Sequence, residues 1–140
     1  MHEEPITIET TVNAPIAKVW EYWNDPMHIE MWAYAADDWE ATDAQNDLRV
    51  GGKFKTHMGA KDKSQGFDFG GTYTVVKNLE RIEYTMEDGR KVKVEFMQMP
   101  EGVHIRQTFD LEHENSMEDQ RKGWQTILDN FKKHVEESML

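Results

Sequence analysis

The side chains able to do chemistry in this chain fall into three groups: large apolar residues that could wall a binding cavity, a few polar residues set among them, and carboxylates and histidines suited to proton transfer or metal binding. The first group is the richest. Trp32, Trp39, Met58, Phe67, Phe69, Tyr73, Tyr84, Met86, Phe96, Phe109, Trp124 and Leu128 form the candidate lining of a ligand cavity, because pockets hold apolar ligands through such groups and use a few polar ones to fix orientation. Flexible methionine walls suit a variable ligand. The competing reading is a solid core, since apolar residues at regular spacing ordinarily pack against one another. Gln107 interrupts the inward row of Val103, Ile105, Phe109 and Leu111, and an inward amide costs free energy unless it is hydrogen-bonded. It either contacts a ligand or finds a partner inside the protein, the ordinary fate of a buried amide. Tyr73 and Tyr84 could turn polar ends into the same space, whereas His57, of opposite parity to Phe54 and Thr56, is expected to face solvent.

Nucleophilic catalysis finds no starting residue. There is no cysteine and no G-x-S-x-G segment, so a nucleophile activated in either of the usual ways is missing. Carboxylates are too numerous to single out an acid/base pair; Asp37 and Asp38, beside Trp39, are the only ones placed near a possible pocket mouth, and solvation at a helix end or in a loop is the simpler account of them. The six histidines, His2, His28, His57, His104, His113 and His134, show no ligand spacing such as H-x-x-x-H on one helix. Gly51-Gly52 leads into a strand rather than a helix, so it is no phosphate loop. No catalytic residue, metal ligand or cofactor is therefore assigned.

The elements that must position these residues follow from periodicity. Ile6, Ile8 and Val12 share a parity, the mark of a strand with one buried face. Asn13-Ala14-Pro15 ends it and predicts a helix from Ala14 to Trp23, with Asn13 capping and Pro15 in the first turn. Asp25-Pro26 repeats the signal for a second short helix through about Met31. A strand is expected around Asp38 to Asp43 and another from Lys53 to Met58. From there Phe67, Phe69, Gly71, Tyr73 and Val75 share one face of a long strand, Ile82, Tyr84 and Met86 a second, and Val92, Val94 and Phe96 a third. Asp88-Gly89 and Pro100-Glu101-Gly102 supply the turns around the last of these. The polar run Gly59 to Gly66 reads either as a lid or as a plain hairpin connection. Ser116-Met117-Glu118-Asp119 is a capping box with Asp in the final place, opening a closing helix whose Trp124, Ile127, Leu128, Phe131 and Val135 form a continuous stripe. Lys132, Lys133, Glu136 and Glu137 are read as its solvated face.

An antiparallel sheet with one apolar face needs cover, and the long amphipathic element comes last. The expected fold is α+β, a helix-grip: a curved antiparallel sheet of about six or seven strands wrapped around the Ser116–Leu140 helix, with two short helices after the first strand. One helix cannot fill so concave a face, and Gly71 and Gly123 withhold side chains where bulk would otherwise sit. A length of 140 residues fits one domain, 1–140. Met 9, Trp 5 and Tyr 4 offset the scarcity of branched aliphatics and predict a core rich in thioether and aromatic groups. The formal charge of -11 repels phosphate backbones and anionic lipid, which excludes nucleic acid as an expected partner. No apolar run is long enough to span a bilayer, and the acidic start MHEEPITIE is unlike an export signal. A cytoplasmic monomer or weak homodimer is the expectation, in keeping with the absence of cysteine.

At this point the blocks of sequence form a pattern. Ala14-Pro15 with Val19-Trp20, Asn24-Asp25-Pro26 through Ile29 and Trp32, Asp37-Asp38-Trp39, Asp47 through Phe54, Gly66-Phe67-Asp68-Phe69, Gly71-Thr72-Tyr73, Ile82-Glu83-Tyr84, Asp88-Gly89-Arg90 and Gly123-Trp124 with Leu128 and Phe131 follow in order along nearly the whole chain. In this the chain resembles the SRPBCC or START-like (birch-pollen-allergen-like) superfamily, and within it the bacterial homologues of the C-terminal domain of the heat-shock-protein-90 ATPase activator, also called polyketide-cyclase-like. The resemblance implies a hydrophobic small-molecule ligand, such as a lipid, polyketide or aromatic compound, held between sheet and terminal helix. It supplies no general catalytic motif, and stimulation of a chaperone ATPase belongs to eukaryotic members with an additional N-terminal domain for which this chain has no room. Two alternatives stay open: a cyclase or dehydratase on a polyketide-like substrate, which requires a pocket-facing acid and base, and a co-chaperone-like interaction module using an exposed patch.

Overall fold

Alternation in β1 (Ile6–Val12) is realised as expected: Ile6, Ile8 and Val12 are buried while Thr7 and Glu9 are exposed. The computed structural model describes residues 4–139, so His2 and Leu140 lie outside them. After β1 come α1 (Ile16–Asn24) and α2 (Pro26–Trp32), then β2 (Trp39–Asn46), β3 (Lys53–Ala60), β4 (Gly66–Lys77), β5 (Arg81–Met86), β6 (Lys91–Met99) and β7 (Gly102–Phe109), and finally α3 (Met117–Glu137). The seven strands form one antiparallel sheet in the order β1-β7-β6-β5-β4-β3-β2. β1 and β2, neighbours in the chain, therefore lie at opposite edges, and α1 and α2 carry the chain across. The sheet curls around α3, which is the α+β helix-grip arrangement.

Helix ends follow local chemistry, with one departure. Asp25 accepts from the Met27 N–H at 2.9 Å with Pro26 next in line, and Ser116 Oγ accepts from the Asp119 N–H at 3.1 Å. Each such cap stabilises its helix by about 1 kcal/mol. At α1, however, Pro15 is the cap residue, no side chain caps it, and the Asn13 N–H instead donates to Glu136 at 2.9 Å. Lys132 donates to the Thr11 carbonyl and to Glu136 at 2.8 Å. Lys132 and Glu136, expected as a solvated face, thus tie the end of α3 to the end of β1.

Two strands depart from simple alternation. In β4 the register shifts between Tyr73 and Val75, so Tyr73 faces Tyr84, Val75 faces Glu83 and Val76 faces Ile82. This bulge hands the inward role from the expected Val75 to Val76, which packs on the core. β2 runs to Asn46, beyond the expected Asp43, with a second irregularity after Thr42 and a positive φ of 53° at Asp43; its polar composition gives no period to read.

α3 lies against β1, α1 and α2, and there the molecule is densely filled. Leu128, Phe131 and Val135 are at most 1% exposed and share a core with Ile6, Ile8, Val12, Val103, Ile105 and Trp20. Strands β3 to β6 have no comparable backbone proximity to α3. The concave face is packed at one side and stands off from the helix at the other.

One contact between α2 and α3 is sensitive to acid. His28 Nδ1 and His134 Nε2 are 3.0 Å apart, with the Tyr22 ring stacked on His28 at 3.7 Å. Such a bond needs one N–H and one lone pair, so a second proton places two N–H groups face to face. Burial, then the charge of His28, holds the His134 imidazole below the usual histidine range. A group whose pKa is lowered by folding contributes stability above its unfolded pKa of 6.5 and loses that contribution as pH falls below it, because the unfolded chain takes up the proton first. The midpoint of thermal unfolding should therefore drop between about pH 7 and pH 5.5, and His134→Gln should flatten that slope; equal slopes would remove the pair from the account.

Candidate functional site

Where sheet and helix part, they enclose a cavity of about 650 Å³ bordered by residues of α1, α2, β3, β4, β5, β7, α3 and the connections near them. Of the residues expected on a cavity wall, Trp32, Met58, Phe67, Phe69, Tyr73, Tyr84, Met86, Gln107, Trp124 and Leu128 border it. Three do not. Phe109 is 1% exposed and lies under Trp124, the two rings stacked at 4.0 Å, so Trp124 takes the wall position and Phe109 the core. Phe96 is enclosed by Trp20 at 5.3 Å and Trp23 at 5.6 Å, in the filled half of the molecule. Trp39 opens the edge strand β2 and rests beside Phe67 at 6.1 Å.

The wall also includes Trp23, Ile29, Phe54, Thr56, Ile82 and Ile127. Three of these carried a readable signal: Phe54 shares a parity with Thr56 and Met58, Ile82 shares one with Tyr84 and Met86, and Ile127 stands one turn from Trp124. Phe54 is the centre of an aromatic cluster, 4.7 Å from Tyr84, 5.2 Å from Tyr73 and 5.9 Å from Phe69. Phe69 in turn meets Trp124 edge-on at 5.8 Å, which joins the sheet wall to the helix wall.

The two glycines have different roles. A Cβ on Gly71 would meet the Thr85 carbonyl oxygen at 2.5 Å, so this glycine serves the close approach of β4 and β5 backbones and not the hollow. Gly123 borders the cavity, and a Cβ there would meet nothing within 4 Å. The connection after β3 is a hairpin, pinned by Lys63 donating to Glu40 at 2.9 Å, and it does not border the cavity. Asp37 and Asp38 lie in the loop before β2, also off the wall.

Polar groups in the wall divide into those with partners and those without. The Tyr73 hydroxyl donates to Asn46 Oδ1 at 2.5 Å, and Asn46 donates to the Asn24 carbonyl at 2.8 Å. Gln120 is buried and fully engaged, accepting from the Glu112 N–H at 2.9 Å and donating to the carbonyls of Glu112 and Asn115 at 3.0 and 2.9 Å. Gln107 is equally buried, at 7% exposure, yet among the described residues its side chain has no hydrogen-bond partner. The same holds for the hydroxyl of Tyr84, at 8% exposure. Burial pushes the phenols of Tyr73 and Tyr84 well above the usual tyrosine range, so both remain protonated at neutral pH. The interior offers hydrogen bonds rather than a proton acceptor. Charged residues of the lining gather at the solvent-exposed end, around Phe67, Asp68, Glu87 and Asp119, which marks the mouth.

No curated protein matches the sequence. Among solved structures the chain is similar to an AHSA1-like protein from Aeromonas hydrophila, 46% identical with a TM-score of 0.91 over 96% of this chain and 94% of that one. A protein from Cytophaga hutchinsonii is 49% identical, with a TM-score of 0.82 over 96% and 94% of the two chains. A protein from Chromobacterium violaceum, 23% identical with a TM-score of 0.86 over 96% and 99%, shares the fold. Residues 13–136 match the family described as activator of Hsp90 ATPase homolog 1-like protein. That match spans most of the chain, and the chain therefore belongs to this family, whose fold is that of ligand-binding or activator-like domains.

Proposed function

We propose that the protein binds a hydrophobic small molecule, a lipid, polyketide or aromatic compound, in the hollow between the sheet and α3. The observation that carries this reading is the contrast between Gln120 and Gln107: two glutamines of equal overall burial, one with every polar atom engaged by the protein and the other with none and its amide open to the cavity. A buried amide facing apolar walls is costly unless something pairs with it. A ligand with one hydroxyl or carbonyl, set among Phe54, Phe69 and Trp124, supplies both the apolar contact and that pairing. The volume falls in the range of small-molecule sites. Tyr84 provides a second hydrogen bond from the opposite side of β6.

Native mass spectrometry of protein purified without organic solvent tests this directly. A discrete added mass, released by organic extraction and identified as an apolar compound, is expected. Protein of bare mass that also binds none of a panel of neutral lipids and aromatic compounds would overturn the reading. Gln107→Leu offers a sharper check. It removes an unpaired amide from an apolar wall and should raise the stability of the ligand-free protein by about 1 kcal/mol, while weakening binding of a carbonyl- or hydroxyl-bearing ligand. A loss of stability in urea denaturation would mean that the amide is satisfied inside the protein.

A further inference from the structure

We infer that the cavity takes a cationic amphiphile: an apolar body with an uncharged hydrogen-bonding group inside and an ammonium-type group at the mouth. The inference rests on the proposed cavity reading and adds the charge of the ligand to it. The mouth is bordered by the acidic residues Glu87, Asp88, Glu112 and Asp119, against a single guanidinium, Arg90. Arg90 is already committed, donating to Asp88 at 2.8 Å. Asp68 also borders the cavity, but its carboxylate is turned to His57 at 2.9 Å and Lys55 at 3.3 Å on the other face of the sheet, and Glu112 accepts from the Asn115 N–H at 2.6 Å. Among the described residues, the Glu87 and Asp119 side chains have neither a hydrogen bond nor an ion pair. They are the two rim carboxylates without a partner, and Glu112, whose one bond is to a backbone N–H, keeps its charge beside them.

The one feature that would favour an anion is the N-terminus of α3, equivalent to about half a positive charge. Its Asp119 N–H is already held by the Ser116 cap, and Glu118 in the first turn offsets its charge. An anionic headgroup arriving here would meet a net acidic rim at the opening of an apolar cleft, whose walls focus the field most strongly at low ionic strength. Deeper in, a charge of either sign finds no counter-ion. The unpartnered groups aimed into the cavity are the Gln107 amide and the Tyr84 hydroxyl, buried to more than nine-tenths and both neutral. Each suits a carbonyl or hydroxyl. Neutral recognition inside and negative charge at the rim together select a molecule that is uncharged along its body and positive at its outer end.

Displacement of Nile red, a neutral apolar fluorophore, by three chain-matched competitors at low ionic strength tests the charge independently of the cavity. The competitors are dodecylammonium, dodecanol and dodecanoate, each below its micelle concentration. The ammonium should bind best and the carboxylate worst, about tenfold or more apart. Glu87→Gln with Asp119→Asn should close most of that gap. Glu80→Gln with Glu101→Gln, in the turns at the other end of the sheet, removes the same charge and should leave it. Dodecanoate binding as tightly as dodecylammonium would overturn the inference and leave the cavity reading standing. Equal effects of the rim and distant pairs would overturn it also, by tracing the preference to the overall charge of -11. If neither Nile red nor any competitor binds, the cavity reading itself falls.

Discussion

Phe131→Ala should lower the stability of the fold by about 3–5 kcal/mol, the range for removing a fully buried phenylalanine ring. Phe131 is 0% exposed and is the point at which α3 meets the helical corner. Its ring lies edge-on to Trp23 at 4.8 Å and to Trp32 at 5.0 Å, and those two indoles are 5.1 Å from each other. Deleting it leaves a void between three helices that cannot close without moving all of them, and two aromatic edge contacts go with it. Set against a usual domain stability of about 5–15 kcal/mol, the loss is large enough to shift a urea midpoint well outside error. Trp124→Ala, by contrast, should cost less, because Trp124 is half-buried and one of its sides faces the cavity rather than packed neighbours. A Phe131→Ala loss no greater than that of Trp124→Ala would mean that α3 is not seated here as described.

Period and punctuation made the fold readable. Val92, Val94 and Phe96 alternate in the sequence and are all buried in β6, and Asp25-Pro26 and Ser116 through Asp119 mark helix starts that the structure keeps. The division between cavity wall and core was not readable, because it depends on which inward residue another inward residue covers. Phe109 and Trp124 each belong to an apolar row, but only their stacking at 4.0 Å decides that one is wall and the other core. Phe96 loses a place on the wall to Trp20 and Trp23, which arrive from α1, far away in sequence. Val76 replaces Val75 through a bulge with no marker residue of its own. Lys132 and Glu136 look like surface charges until the end of β1 is brought against them. Gln107 stood out in the sequence because it broke an apolar row; that it lacks a partner, while Gln120 has three, is a property of the assembled fold.

Gly123→Leu separates the cavity from the core most directly. Glycine in a helix interior is unfavourable by about 0.5–1 kcal/mol relative to alanine, so its presence in the middle of α3 needs a reason. Nothing crowds it: a Cβ at this position meets no atom within 4 Å, and the residue borders the hollow. Backbone strain is not the reason either, since Gly123 lies within the regular helix. What glycine preserves is space. Leucine here should gain helix propensity and bury its side chain against Ile127, one turn on, raising the unfolding midpoint by a few degrees, roughly what 1 kcal/mol yields at this size. The same side chain occupies volume that a ligand would use, and binding of a neutral apolar probe should fall about tenfold or more, because a crowded pocket costs about 1–3 kcal/mol. Gly123→Ala isolates the propensity term: it should be stabilised as well, with binding nearly unchanged. If Gly123→Leu unfolds the protein, the position faces packed atoms and the hollow is smaller than described. If it is stabilised and binds the probe as tightly as before, the ligand lies elsewhere. Gain of stability with loss of binding is the pairing that a solid core cannot produce.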